Sequence, residues 1–262
     1  MTYTTFRLEN KGPVAYVTLD RPPVKNAFDD VLINEMTDAL GVIARDANVR
    51  VMVLTGAGDV FSAGADLNWM RKVARYTFEE NLQDAMVFAR MLEALYRLPK
   101  PTIARVNGAC MGGGVGLVSA CDIGVAVGEA KFALREILLG IAPATISPYV
   151  LRKIGETHAH DYFLTGRVFD AARAREIGLI NEAVDITDLD LTVDRWVERF
   201  LKAGPTAVAV TKQLINRVAW SPIEQVQEYT ARTIAGLRGS DEGQEGFAAF
   251  FEKRKPKWDP EA

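Results

Sequence analysis

The chain has 262 residues, 48% of them hydrophobic and 25% charged, a balance that belongs to a globular protein and excludes wholesale disorder. A formal net charge of -3 leaves no basic excess to neutralise phosphates, which argues against nucleic acid as a general partner. Two cysteines, Cys110 and Cys121, cannot make a disulfide framework and sit among apolar residues, as expected of core thiols in a reducing, cytoplasmic compartment.

The first strand expected is Val14–Leu19, rich in Val, Tyr and Thr and broken by Arg21-Pro22-Pro23. Asp29 then caps a helix whose apolar residues Leu32, Met36, Ala39, Leu40 and Ile43 keep helical spacing. Residues 49–54 are nearly all apolar, the pattern of a strand covered on both faces, and a Gly-rich loop follows over 55–64. Residues 78–98 return to helical spacing, with Leu82, Met86, Ala89 and Leu92 on one face, until Pro99 and Pro101 end the helix. Thr102–Val106 is another buried strand before Gly112-Gly113-Gly114, and residues 122–127 and 131–134 read as two more short strands. Past residue 147 the strand pattern fades and helices take over. Alternation followed by helices alone predicts an α/β body with a helical tail. No repeat, low-complexity tract or Pro/Gly/Ser linker divides the chain, so the boundary near residue 200 is soft. No secretory leader pattern opens the chain, and Asp122 interrupts the longest Gly/Ala/Val-rich stretch, so no membrane span is expected.

Several familiar chemistries are excluded. Neither glycine loop completes G-x-G-x-x-G, no G-x-x-x-x-G-K-[ST] occurs, and no G-x-S-x-G elbow is present. The only histidines, His158 and His160, lie on a polar helical stretch without a carboxylate or cysteine cluster, so they read as surface residues and no metal is expected. Acid–base chemistry must then come from carboxylates or from backbone dipoles.

Two segments share one form, a buried strand running through small residues into a helix. The first is Val51-Met52-Val53-Leu54-Thr55-Gly56-Ala57-Gly58-Asp59-Val60-Phe61-Ser62-Ala63-Gly64-Ala65-Asp66-Leu67. The second is Pro101-Thr102-Ile103-Ala104-Arg105-Val106-Asn107-Gly108-Ala109-Cys110-Met111-Gly112-Gly113-Gly114-Val115-Gly116-Leu117. Small residues let a ligand approach the backbone while a helix start directs free N–H groups at it, and one N–H from each segment would make an oxyanion hole. Close packing of helix on sheet demands the same glycines, and on spacing alone both readings stand.

Residues 55–70, 100–122 and 131–140 resemble three segments of the crotonase (enoyl-CoA hydratase/isomerase) superfamily, a resemblance that runs from about Val14 to Phe251-Glu252-Lys253-Arg254. The resemblance implies an α/β crotonase-type ββα spiral over 1–200 and a helical oligomerisation region over 201–262, assembling as a homotrimer or hexamer. The tail stripe Val208, Thr211, Leu214, Ile215 and Val218 fits such burial. It further implies an acyl-CoA substrate, no separate cofactor, and oxyanion donors at the N–H groups of Ala65 and Gly113. Coenzyme A would lie against Lys25, Ala27, Ala63, Ala65, Asp66, Leu67, Asn68 and Gly113, with Lys253 reaching a phosphate. Glu136 takes the place of the glutamate that protonates the α-carbon, although without the resemblance it reads as a solvated strand-end residue beside Arg135. The second glutamate of the family hydratases, the one that activates water, is replaced by Gly116. Glu80 and Asp84, four apart on the helix of 78–98, are candidate substitutes, and read more plainly as a solvated face. Residues 112–119 and Pro143-Ala144-Thr145-Ile146-Ser147-Pro148 are similar to a branch of methylglutaconyl-CoA and carboxygeranoyl- or isohexenylglutaconyl-CoA hydratases, which implies a branched, carboxylated acyl group. Hydration is the activity expected first. A single-glutamate Δ3-Δ2 isomerase, a thioester decarboxylase and a non-catalytic CoA-binding relative are the alternatives.

Overall fold

The computed structural model describes residues 2–262. A hairpin of β1 (Phe6–Lys11) and β2 (Val14–Leu19) opens the first sheet, and parallel neighbours β3 (Val51–Gly56), β5 (Thr102–Val106), β7 (Ile123–Val127) and β10 (Glu182–Val184) extend it. A second, smaller sheet sets β4 (Val60–Ser62), β6 (Ala109–Met111) and β8 (Lys131–Ala133) parallel to one another, and β9 (Phe169–Asp170) closes it antiparallel.

One unit therefore recurs three times: a strand in the large sheet, a short strand in the small sheet, then helix. After β4 come α2 (Leu67–Val73) and α3 (Phe78–Tyr96), with α1 (Asp30–Arg45) lying ahead of β3. After β6 comes α4 (Gly113–Ala120), and after β8 a 3-10 turn (Glu136–Leu139) leads to α5 (Ser147–Thr165). This is the ββα winding expected of the chain.

Local chemistry explains the main elements. All six residues of β3 are buried, which is why its sequence is apolar without alternation. The Asp29 carboxylate accepts the Leu32 N–H at 3.0 Å and starts α1, a cap worth about 0.5–2 kcal/mol. Leu32, Ile33, Met36, Ala39, Leu40 and Ile43 then form the buried stripe of α1.

Other expectations need correction. In α3 the buried residues are Phe88, Met91, Leu92 and Leu95, whereas Leu82 and Met86 are exposed. Both stripes keep helical spacing; the later turns pack on α1 and α4, while the first turns overhang the body. The strands β1, β4, β6, β9 and β10 were not expected, and four of them have two or three residues within loops or between helices.

Two shorter helices, α6 (Ala171–Glu176) and α7 (Leu189–Leu201), complete the body, α7 burying Leu189, Val193, Val197 and Leu201. The tail is α8 (Pro205–Val218), α9 (Ile223–Gly239) and α10 (Asp241–Phe251). Within the single chain the stripe of Val208, Thr211, Leu214, Ile215 and Val218 is not buried, and Ile215 is 58% exposed. The helices α8, α9 and α10 pack on each other, and a cavity of about 720 Å³ lined by Ser119, Lys153, Val208 and Trp220 separates α8 from the body. Two cations tie the tail down. The Arg50 guanidinium donates to the carbonyls of Leu201 (2.8 Å), Ala203 (2.6 Å) and Trp258 (2.7 Å), and the Lys212 ammonium meets Asp122 at 2.8 Å. Among the described residues, no helix is long and apolar enough to cross a membrane.

Candidate active site

Strands β4, β6 and β8 are parallel neighbours, so their C-terminal ends lie side by side. Each runs into a segment singled out in the sequence: β4 into Ala63-Gly64-Ala65, β6 into Gly112-Gly113, and β8 into Glu136. Ligand sites in open α/β sheets lie beyond such strand ends. Register fixes the last step, since Met111 pairs with Ala133 and the Gly112 N–H donates to the Ala133 carbonyl at 2.8 Å.

Glycine is required at two points of this junction. Gly64 (φ 88°) and Gly112 (φ 50°) occupy the left-handed half of backbone space. A Cβ on Gly64 would stand 2.9 Å from the Met111 carbonyl oxygen, so the two segments touch backbone to backbone.

Both expected donor groups are free. Phe28 and Ala65 form a parallel bridge in which the Phe28 N–H donates to Gly64 and the Phe28 carbonyl accepts from Asp66. That pattern leaves the Ala65 N–H pointing away from its neighbour. Gly113 is the first residue of α4, where an N–H has no intrahelical acceptor. Among the described residues neither N–H has an acceptor in the chain. The Phe28 ring lies where a side chain on Gly113 would project and stacks on Phe88 at 5.3 Å, so one residue braces both donors.

Glu136 opens the 3-10 turn with its carboxylate against Gly112, Oε1 standing 3.0 Å from where a Cβ on that glycine would be. Its other oxygen, Oε2, is buried without a hydrogen-bond partner. Burial pushes the carboxyl above the ordinary glutamate range, with its own backbone N–H acting in the opposite direction. Arg135 is exposed and makes no ion pair with it among the described residues, so the solvated strand-end reading is set aside. A half-buried carboxylic acid beside two free N–H groups can donate a proton to a carbon whose neighbouring oxygen those groups hold.

Gly116 lies one turn into α4, and a Cβ there would fall on Ile146 Cγ2 and 2.9 Å from Ile146 Cβ. Ile146 is 2% exposed. Hydrocarbon occupies the space next to Gly116, and a carboxylate side chain has no room there.

The flanking loop is built by Asn26, which the sequence reading missed. Its side chain accepts from the Arg21 N–H at 3.0 Å and donates to the Ala57 and Val60 carbonyls at 2.8 Å each. The Ala63 N–H donates to Lys25 O at 2.9 Å, which sets Lys25 and the buried Ala27 beside the Ala63–Asp66 stretch. Asn26 has φ 55°, and asparagine is among the few side chains that tolerate this region, the one signal that could have flagged it. Asp66 is buried; its Oδ1 caps α2 through the Asn68 N–H at 2.7 Å and its Oδ2 faces Arg21 at 3.4 Å. Lys25, Ala63, Leu67 and Asn68 are exposed along one edge, open to a ligand. Lys253 stands apart: it follows α10, and no hydrogen bond or ion pair among the described residues links it to these segments.

Of the two candidate carboxylates on α3, Glu80 is engaged with Thr77 in the helix cap, its Oε2 accepting the Thr77 N–H at 2.7 Å. Asp84 is half-buried and accepts the Trp69 indole N–H at 3.2 Å. His158 and His160 face Arg173 and the Glu156 carbonyl, away from these groups.

The fold and this junction define an acyl-CoA enzyme of the crotonase type. The enoyl-CoA hydratase/isomerase family matches residues 9–261, and the chain belongs to that family. The crystal structure of an enoyl-CoA hydratase from Shewanella pealeana superposes with a TM-score of 0.95 at 42% identity, over 98% of this chain and 96% of that one. An enoyl-CoA hydratase structure from Mycobacterium smegmatis gives 0.92 at 32% identity, covering 97% of this chain and 99% of that one. The short-chain-enoyl-CoA hydratase of Clostridium acetobutylicum is 32% identical over 250 residues, 95% of each chain.

Proposed function

We propose that the protein is a hydro-lyase that adds water across the C2–C3 double bond of an α,β-unsaturated acyl-CoA. The observation that carries this reading is the convergence of two unpartnered N–H groups, at Ala65 and Gly113, with the half-buried carboxyl of Glu136, beyond three parallel strand ends. The thioester oxygen rests on the two N–H groups as the enolate forms, and each such donor is worth about 2.7–4 kcal/mol in the transition state. Glu136 delivers the proton to C2, and the positive end of α4 favours the same oxygen. Coenzyme A lies along the exposed edge of Lys25, Ala63, Leu67 and Asn68, with the exposed Lys253 reaching a phosphate across a subunit interface.

The test is Glu136→Gln, which keeps size and hydrogen bonding but removes the transferable proton. Hydration and deuterium exchange at C2 of a saturated acyl-CoA both fall about 10²–10⁴-fold, with acyl-CoA binding retained. Wild-type turnover by the variant would overturn the assignment. A second reading, a Δ3-Δ2 isomerase with Glu136 as the only proton carrier, is favoured by Ile146 packed over Gly116. A 3-enoyl-CoA converted faster than its 2-enoyl partner would decide for it.

The branched, carboxylated acyl group rests on the strings around Gly116 and Ile146, and crotonyl-, 3-methylcrotonyl- and 3-methylglutaconyl-CoA compared side by side test it. Assembly as a trimer or hexamer is supported by the apolar residues left exposed in the tail, among them Trp220, Ile223, Phe250 and Phe251, and sedimentation reads it directly. The buried free thiols of Cys110 and Cys121 support a reducing, cytoplasmic setting.

A further inference from the structure

We propose that Asp84 is the base that takes the proton from the attacking water, a task closed to Glu136 while it holds the proton destined for C2. The proposal rests on the hydration reading above. Hydration moves two protons, and the carboxylates around the junction can be taken one at a time. Asp66 has both oxygens engaged, by the α2 cap and by Arg21. Glu80 is exposed and closes the Thr77 capping box. No carboxylate fits at Gly116. Asp84 remains.

Its position follows from helix geometry. Phe88, four residues on, reaches within 3.2 Å of where a side chain on Gly113 would begin. Four residues of helix rise about 6 Å and return to the same face, so Asp84 stands one turn from Phe88 on the face that meets Gly113. The buried residues Phe88, Met91, Leu92 and Leu95 define that face, and Asp84 is the carboxylate of α3 that continues it; Glu79, Glu80 and Glu93 are exposed. The indole N–H of Trp69 holds Asp84 Oδ1 at 3.2 Å, and the Trp69 backbone N–H is held by Asp66, the residue after Ala65. Asp84 is thereby fixed to both donor segments, through Trp69 to one and through Phe88 to the other. Its Oδ2 has no hydrogen-bond partner among the described residues. Burial raises the carboxyl above the ordinary aspartate range, Asp30 adding to the effect and the Trp69 hydrogen bond and Lys72 opposing it, which makes it the stronger base.

The step balances. A water lone pair forms the C3–O bond, the C2–C3 π pair moves into the thioester, and the water proton passes to Asp84 Oδ2. The enolate pair then takes the carboxyl proton of Glu136 at C2. One water has been added, Asp84 has gained a proton and Glu136 has lost one, and exchange with solvent restores both.

The experiment compares Asp84→Asn, Asp84→Glu and Glu80→Gln with the wild type on crotonyl-CoA, and follows C2 deuterium exchange of butyryl-CoA in parallel. Asparagine still accepts from Trp69, so the lid keeps its anchor. Asp84→Asn lowers kcat for hydration about 10²–10⁴-fold while C2 exchange persists, because exchange uses only Glu136 and the two N–H groups. Asp84→Glu recovers part of the loss, and Glu80→Gln behaves as wild type. Wild-type hydration by Asp84→Asn, or parallel loss of hydration and exchange, would overturn the role of Asp84 and leave the hydratase reading intact. A wild-type protein that exchanges C2 but hydrates nothing removes both.

Discussion

Replacing Gly116 with alanine adds a single methyl group at the point where α4 meets Ile146. In an open helix the change would stabilise by about 0.5–1 kcal/mol, since glycine is the poorer helix former. Here the new carbon would overlap Ile146 Cγ2 and stand 2.9 Å from Ile146 Cβ. Neither partner can yield easily: every residue of α4 from Gly114 to Ala120 is buried, and Ile146 is 2% exposed. Overpacking of this kind costs about 1–3 kcal/mol, which leaves a net loss of about 1–2 kcal/mol, or several degrees in Tm for a chain of this size. Ile146→Ala alone removes buried hydrocarbon and costs about 2–5 kcal/mol. Combined with it, Gly116→Ala fills part of the cavity and becomes stabilising. Urea unfolding of the wild type, both single variants and the double variant measures the coupling, expected at about 1–3 kcal/mol. A Gly116→Ala protein more stable than the wild type, or one whose effect is the same in both backgrounds, would refute the contact.

Glu136 also sets a pH dependence of stability. Its folded carboxyl lies above the unfolded range because of burial, so the folded state binds the proton more tightly and stability falls as pH rises from the unfolded toward the folded value. Glu136→Gln is therefore more stable than the wild type at neutral pH, and denaturation curves show the gap closing in acid. Arg50→Met strands the carbonyls of Leu201, Ala203 and Trp258, costing about 1–3 kcal/mol, and limited proteolysis should cut first between α7 and α8.

What the sequence made legible depended on whether the cause was local. The Asp29 cap and the stripe of α1 are written within one turn of each other, and β3 announces its two-sided burial by being apolar throughout. Glu136 was placed by resemblance, and its unpartnered oxygen could not have been, because that depends on Gly112 lying across the strand register. The strands β4 and β6 have three residues each and pair with each other across the 46 residues that lie between Ser62 and Ala109. In α3 two apolar stripes compete on equal spacing, and contact with α1 and α4, rather than periodicity, selects Phe88 over Leu82. Ile146 lies 30 positions from Gly116, and no local signal ties the two together.

Phe28 has a consequence beyond packing. Its backbone holds the strand of Ala65 and its ring rests on Gly113, so one residue bears on both N–H groups. In the proposed oxyanion hole the two donors would then share one support. Because misplacements near 1 Å can cost about 10²-fold in rate, a change at Phe28 would reach both donors of the proposed site at once.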